Sequence, residues 1–155
     1  MLVYRIAKEE YIHDFSGAGA KRYGGRWNRP GMAVLYTSQA RSLALLELLV
    51  HFSTLQALGQ HYYYAVLEVP DTQIVTLDET SLPRDILRYN HEVLWAISDQ
   101  LFQEENRLAV RVPSVLIPEE YNILLNPEHT DYDQISCLAI EDAIIDTRYI
   151  ALFGQ

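Results

Sequence analysis

The stretch from Gly24 to Glu47, GGRWNRPGMAVLYTSQARSLALLE, gathers the residue types that chemistry on a small anionic ligand needs. Arg26, Tyr36 and Glu47 stand ten and eleven residues apart, on a glycine turn, a short apolar run and a leucine-rich segment. A guanidinium presents planar paired donors to a phosphate. A tyrosine presents a flat face to a ring. A carboxylate supplies the counter-charge where positive charge develops in a reaction. Three such groups on three successive elements point to a ligand that carries both phosphate and a ring.

The elements that must place them follow from local pattern. Residues 16–31, SGAGAKRYGGRWNRPG, hold five of the seven glycines, which allow turns and close backbone approach to a ligand. The run is neither GxGxxG nor a P-loop, so its spacing alone names no nucleotide motif. Met32 to Thr37 reads as a strand, and Ser38 as the N-cap of a helix reaching about Ser53. On that helix Glu47 has Leu43, Ala44, Val50 and His51 as its one-turn neighbours, a mainly apolar setting. A buried carboxylate without a partner is costly. Either a cation compensates it, or the face opens onto a cleft, or Glu47 is a rim residue of an otherwise buried helix.

Elsewhere the pattern alternates. Leu2 to Ile6 reads as a first strand and carries Arg5, which suits a solvated face as well as a ligand contact. Segments 61–69 and 73–77 read as strands with Pro70-Asp71 as the turn signal, and Tyr62 to Tyr64 as sheet packing. Residues 79–90 read as a loop. A helix over about 91–105 has Val93, Leu94, Ile97, Leu101 and Phe102 on one stripe, with Trp95 off it and directed at another element or a partner. Strands are expected at 108–112, 121–126 and Ile144 to Ile150. Ser114 follows a strand end, where its hydroxyl meets a ligand or forms a turn; no GxSxG elbow marks it as a nucleophile.

The chain has 155 residues and reads as one domain, residues 1–155, of a mixed α+β class with central strands and flanking helices. A net charge of −9 makes direct nucleic-acid binding a poor expectation. The single cysteine, Cys137, excludes an internal disulfide and fits a reducing compartment. No apolar run reaches membrane-spanning length, and MLVYRIAKEE lacks the apolar core of a secretory leader, so a cytoplasmic location and no membrane association are expected. His13, His51, His61, His91 and His129 show no metal-ligand spacing, so no metal site is expected.

The segments YRIA (4–7), GAGAKRYGGRWNRPG (17–31), VLYTSQARSLALLELLVH (34–51) and VPSVLIPEEYNILLNPEH (112–129) together resemble the RES domain family, the toxins of bacterial RES–Xre toxin–antitoxin pairs. The resemblance implies a fold similar to the ADP-ribosyltransferases. It implies a functional set at Arg5, Arg26, Tyr36, Glu47 and Ser114, with Arg26, Tyr36, Glu47 and Ser114 catalytic and Arg5 binding substrate with them. It further implies cleavage of NAD⁺ at the nicotinamide–ribose bond, with NAD⁺ as substrate and no cofactor, and growth arrest through NAD⁺ depletion. The implied partner is a helix-turn-helix antitoxin of the Xre family, around a toxin homodimer. ADP-ribosyl transfer to a protein is the alternative; a ribonuclease toxin and a non-catalytic antitoxin-binding module are further readings. The C-terminal IEDAIIDTRYIALFGQ matches the family's ending only loosely.

Overall fold

The alternating apolar residues of Leu2–Lys8 form β1, one strand of a seven-stranded sheet in the order β4-β5-β6-β2-β1-β3-β7. The structure, a computed structural model, describes residues 1–51, 60–78, 82, 91–146 and 148–149. In chain order the elements are β1, α1 (Ala18–Tyr23), β2 (Leu35–Ser38), α2 (Arg41–Leu49), β3 (Tyr62–Glu68) and β4 (Ile74–Thr76). Then come α3 (His91–Asp99), which runs on as a π-helical turn over Gln100–Glu104, β5 (Ala109–Pro113), β6 (Tyr121–Leu125) and β7 (Ser136–Asp142). Neighbouring strands are antiparallel except β4 and β5, which are parallel. This is the expected α+β domain. The expected loop at 79–90 lies outside the described residues, apart from Leu82.

Successive residues of a strand face opposite sides, and two cores result. Val3, Leu35, Ala65, Leu67, Ile123 and Leu125 pack on one face. Trp27, Val34, Leu94, Phe102, Val110, Val112 and Leu124 pack on the other, where α3 lies. β1 pairs with β3 along its whole length, from Leu2 with Glu68 to Lys8 with Tyr62, whereas it meets β2 only at Tyr4 with Ser38. The sheet is therefore parted between β1 and β2, and α2 packs against both strands.

Two local expectations are corrected. Ser38 is not a helix N-cap: it ends β2, opposite Asn122, and its hydroxyl donates to Asn122 Oδ1 at 2.6 Å. After a bend at Gln39, Ala40 is itself extended (φ −138°, ψ 149°), so α2 starts only at Arg41. The last strand among the described residues is Ser136–Asp142, paired with β3; the expected strand from Ile144 to Ile150 is not formed at residues 144–146 or 148–149, and its positions 147 and 150 lie outside the described residues. Ile144 is 90% exposed. Among the described residues no helix is long and apolar enough to cross a membrane.

Candidate active site

Where β1 and β2 part, a cavity of about 780 Å³ opens, within the range of about 300–1,000 Å³ typical of small-molecule sites. Arg5 reaches it from β1, Tyr36 and Ser38 from β2, Arg26 from the glycine turn, Glu47 from α2 and Trp95 from α3. A smaller cavity of about 210 Å³ continues along the same parting and shares Arg5 and Tyr36.

Arg26 stands on a turn that is tied from every side. α1 stops at Gly24, whose φ of 71° lies in the left-handed region and whose amide donates to Ala20 O. Gly25 N–H donates to Asn28 O at 2.8 Å, and Trp95 Nε1 donates to Gly25 O at 2.8 Å. Asn28 is fully buried; its Nδ2 donates to the carbonyls of Ala20, Arg29 and Met32, and its Oδ1 accepts the Tyr36 hydroxyl at 2.8 Å. The same hydroxyl accepts from Trp27 N–H at 3.0 Å. Burial pushes the Tyr36 phenol up to about 12, so it is neutral and holds this loop with both its donor and its acceptor. Tyr36 thus lines the cavity while its oxygen fixes the arginine turn. Arg29 adds an ion pair to Asp99 at the end of α3.

Of the options its setting left open, Glu47 takes the cleft: it projects from the apolar helix α2 into the cavity. Its Oε1 accepts from Ser114 Oγ at 2.9 Å and from Asn122 Nδ2 at 2.7 Å. Ser114 is itself completely buried, and its hydroxyl oxygen accepts from the amides of Leu116 and Ile117. It therefore stands behind the carboxylate and serves the site through Glu47.

The Arg5 guanidinium donates through Nη1 to the carbonyls of Tyr11 at 2.8 Å and Ile12 at 3.1 Å, which fixes its plane at the parting. Burial lowers it from the ordinary arginine range, against the opposing pull of Asp14. Arg41, the nearby cation at the start of α2, is engaged elsewhere, over the Tyr4 ring at 4.5 Å and with Glu141.

All five residues named from the sequence converge: Arg5, Arg26, Tyr36 and Glu47 line the cavity, with Ser114 one shell behind. Four others were not singled out for the site: Asn122 and Ser38, which brace Glu47, and Asn28 and Trp95, which brace the Arg26 turn. Trp95's place off the helical stripe was a signal; Asn122 in YNILLN gave none until β2 and β6 were paired. His51 and His91 lie at the cavity, with the His91 ring edge-on to Trp95 at 6.2 Å. Among the described residues no group of three or more His, Cys, Asp or Glu side chains is clustered to hold a metal ion.

The fold and the sequence have counterparts. A chain of the crystal structure of the M. tuberculosis MbcT–MbcA toxin–antitoxin complex shares the fold, with a TM-score of 0.73 at 18% identity over 99% of this chain and 89% of that one. A curated relative named Prs ADP-ribosylating toxin, from Sphingobium sp. (strain YBL2), is 36% identical and aligned over 95% of both chains. Proteins named Toxin Res from Photorhabdus laumondii and Yersinia enterocolitica are 33% and 34% identical, covering 97% and 90% of this chain. The model of the RES domain matches residues 2–147. With that match and with toxins aligned over nearly their full length, the chain belongs to the RES domain family.

Proposed function

We propose that this RES-family toxin cleaves NAD⁺ at the nicotinamide–ribose bond, and that Glu47 stabilises the cation this generates. The observation that carries the reading is the Glu47 carboxylate, held by Ser114 and Asn122 in the cavity that Arg5, Arg26 and Tyr36 also line.

Breaking the glycosidic bond sends its electron pair to the pyridinium nitrogen, so nicotinamide leaves neutral and the ribose becomes oxocarbenium-like. Glycosidases need a second carboxyl group to protonate a poor leaving oxygen. A cationic leaving group removes that need, and one carboxylate suffices. Glu47 faces the ribosyl cation, Arg5 and Arg26 clamp the pyrophosphate, and Tyr36 offers its ring to the nicotinamide. Water or phosphate then takes the ribosyl carbon. Depletion of NAD⁺ arrests growth, and a helix-turn-helix antitoxin of the Xre family covers the cleft around a toxin homodimer. The net charge of −9 suits a basic partner surface.

A second reading, ADP-ribosyl transfer to a protein, is favoured by the relative named Prs ADP-ribosylating toxin. Incubating the purified protein with NAD⁺, with and without phosphate and a cell extract, separates these by mass spectrometry. Free ADP-ribose marks hydrolysis, ADP-ribose-1″-phosphate marks phosphorolysis, and a mass-shifted protein marks transfer. Glu47→Gln is expected to lose orders of magnitude in turnover while NAD⁺ binding is largely kept; equal turnover by variant and parent removes Glu47 from the mechanism.

A further inference from the structure

We propose that Asn122 is a positioning residue that, oriented by Ser38, holds the Glu47 carboxylate with one oxygen fixed and the other presented to the cavity. An ionised carboxylate only accepts hydrogen bonds, so the atom of Asn122 that meets it must be the amide nitrogen. The other end, Oδ1, then needs a donor, and Ser38 Oγ supplies it at 2.6 Å. Ser114 reaches the same carboxylate oxygen with its only hydroxyl hydrogen, because its own oxygen already accepts from Leu116 and Ile117 N–H. The polarity is thus fixed throughout: Ser38 donates to Asn122, Asn122 to Glu47, and Ser114 to Glu47. Both donors fall on Oε1, and among the described residues no hydrogen bond falls on Oε2.

The fold builds this arrangement. Ser38 and Asn122 are register partners across β2 and β6, both on the cavity side. The sheet ladder therefore sets the angle of the amide, and the amide sets the carboxylate. The catalytic part of the inference rests on the NAD⁺ reading; the positioning part does not.

The test follows the ¹³C carboxyl resonance of Glu47 across pH, beside NAD⁺ turnover. Asn122→Asp replaces a donor by a second carboxylate, and two acids that share a site hold a proton more tightly. The Glu47 resonance is then expected to titrate at higher pH than the parent's, and the acid limb of the rate profile to move with it. Asn122→Leu is expected to lower kcat about ten- to a hundredfold, the loss matching one charge-assisted hydrogen bond, with KM changed less than about twofold. Ser38→Ala, which leaves Glu47 untouched, should shift the resonance less but in the same direction, and Ser38→Thr should restore it. Ser38→Ala decides the matter if the Asn122 variants do not fold. Identical titration of Glu47 in the parent and in every folded variant overturns the proposal whether or not NAD⁺ is cleaved. A shifted resonance in a protein that leaves NAD⁺ intact keeps the positioning role and removes the NAD⁺ reading instead.

Discussion

The phenol oxygen of Tyr36 occupies the space that a side chain at position 25 would need. A Cβ on Gly25 would lie 2.7 Å from it and 3.0 Å from Asn28 Oδ1. Close approach, not an unusual φ, requires glycine at this position. Gly25→Ala is expected to push Tyr36 away from Asn28 and Trp27, destabilising the fold by roughly 1–3 kcal/mol. The arginine turn should loosen with it, so thermal melting should fall and KM for NAD⁺ should rise several-fold. An unchanged melting temperature and KM would show that the turn gives way freely.

Tyr36 also fixes a pH dependence. Its folded value of about 12 lies above the ordinary 10, so the native state keeps a proton that the unfolded chain releases between those limits. Stability from this group is full below pH 10 and is lost as pH rises toward 12. The loss amounts to about 2–3 kcal/mol at most. Urea unfolding measured from pH 8 upward should show a shallower alkaline decline in Tyr36→Phe than in the parent. Tyr132, also raised to about 12 by burial, contributes equally to both proteins.

The two arginines are separable. Arg26→Lys is expected to raise KM for NAD⁺ roughly tenfold with kcat largely kept, because an ammonium cannot present two parallel donors. Arg5→Lys should raise KM and also lower the melting temperature, since the two carbonyls of Tyr11 and Ile12 lose their shared donor. Steady-state kinetics and a thermal melt on the same samples check both.

Trp95→Phe keeps most of the ring and removes one hydrogen bond, from Nε1 to Gly25 O. The expected effect is a rise in KM of roughly three- to tenfold, matching about 1 kcal/mol, without loss of fold. Unaltered kinetics would mean that α3 does not help to hold the arginine turn.

The sequence already made Arg26, Tyr36 and Glu47 legible, because their types contradict their surroundings: an arginine among glycines, a carboxylate among leucines. For Ser114 the reading offered a hydrogen bond to the ligand or to Glu47, and the structure shows the second: the serine is fully buried and donates to the Glu47 carboxylate. Asn122 was placed on an expected strand but not at the site, because only the pairing of β2 with β6 sets it opposite Ser38 and beside Glu47. The same ladder overrode Ser38's capping preference. In the tail the reading placed the strand at the later isoleucines, whereas the segment that pairs with β3 is SCLAIED, a long-range pairing that local pattern does not reveal.

Joined at a single rung, Tyr4 with Ser38, the sheet behaves as two planks. Arg5 rides on the plank of β1, β3 and β7; Tyr36, Ser38, Asn122 and Ser114 ride on or beside that of β2, β6 and β5. The helix that carries Glu47 lies across the seam and packs on both planks, so the two guanidinium groups approach from opposite lips while the carboxylate is aimed from the bridge between them.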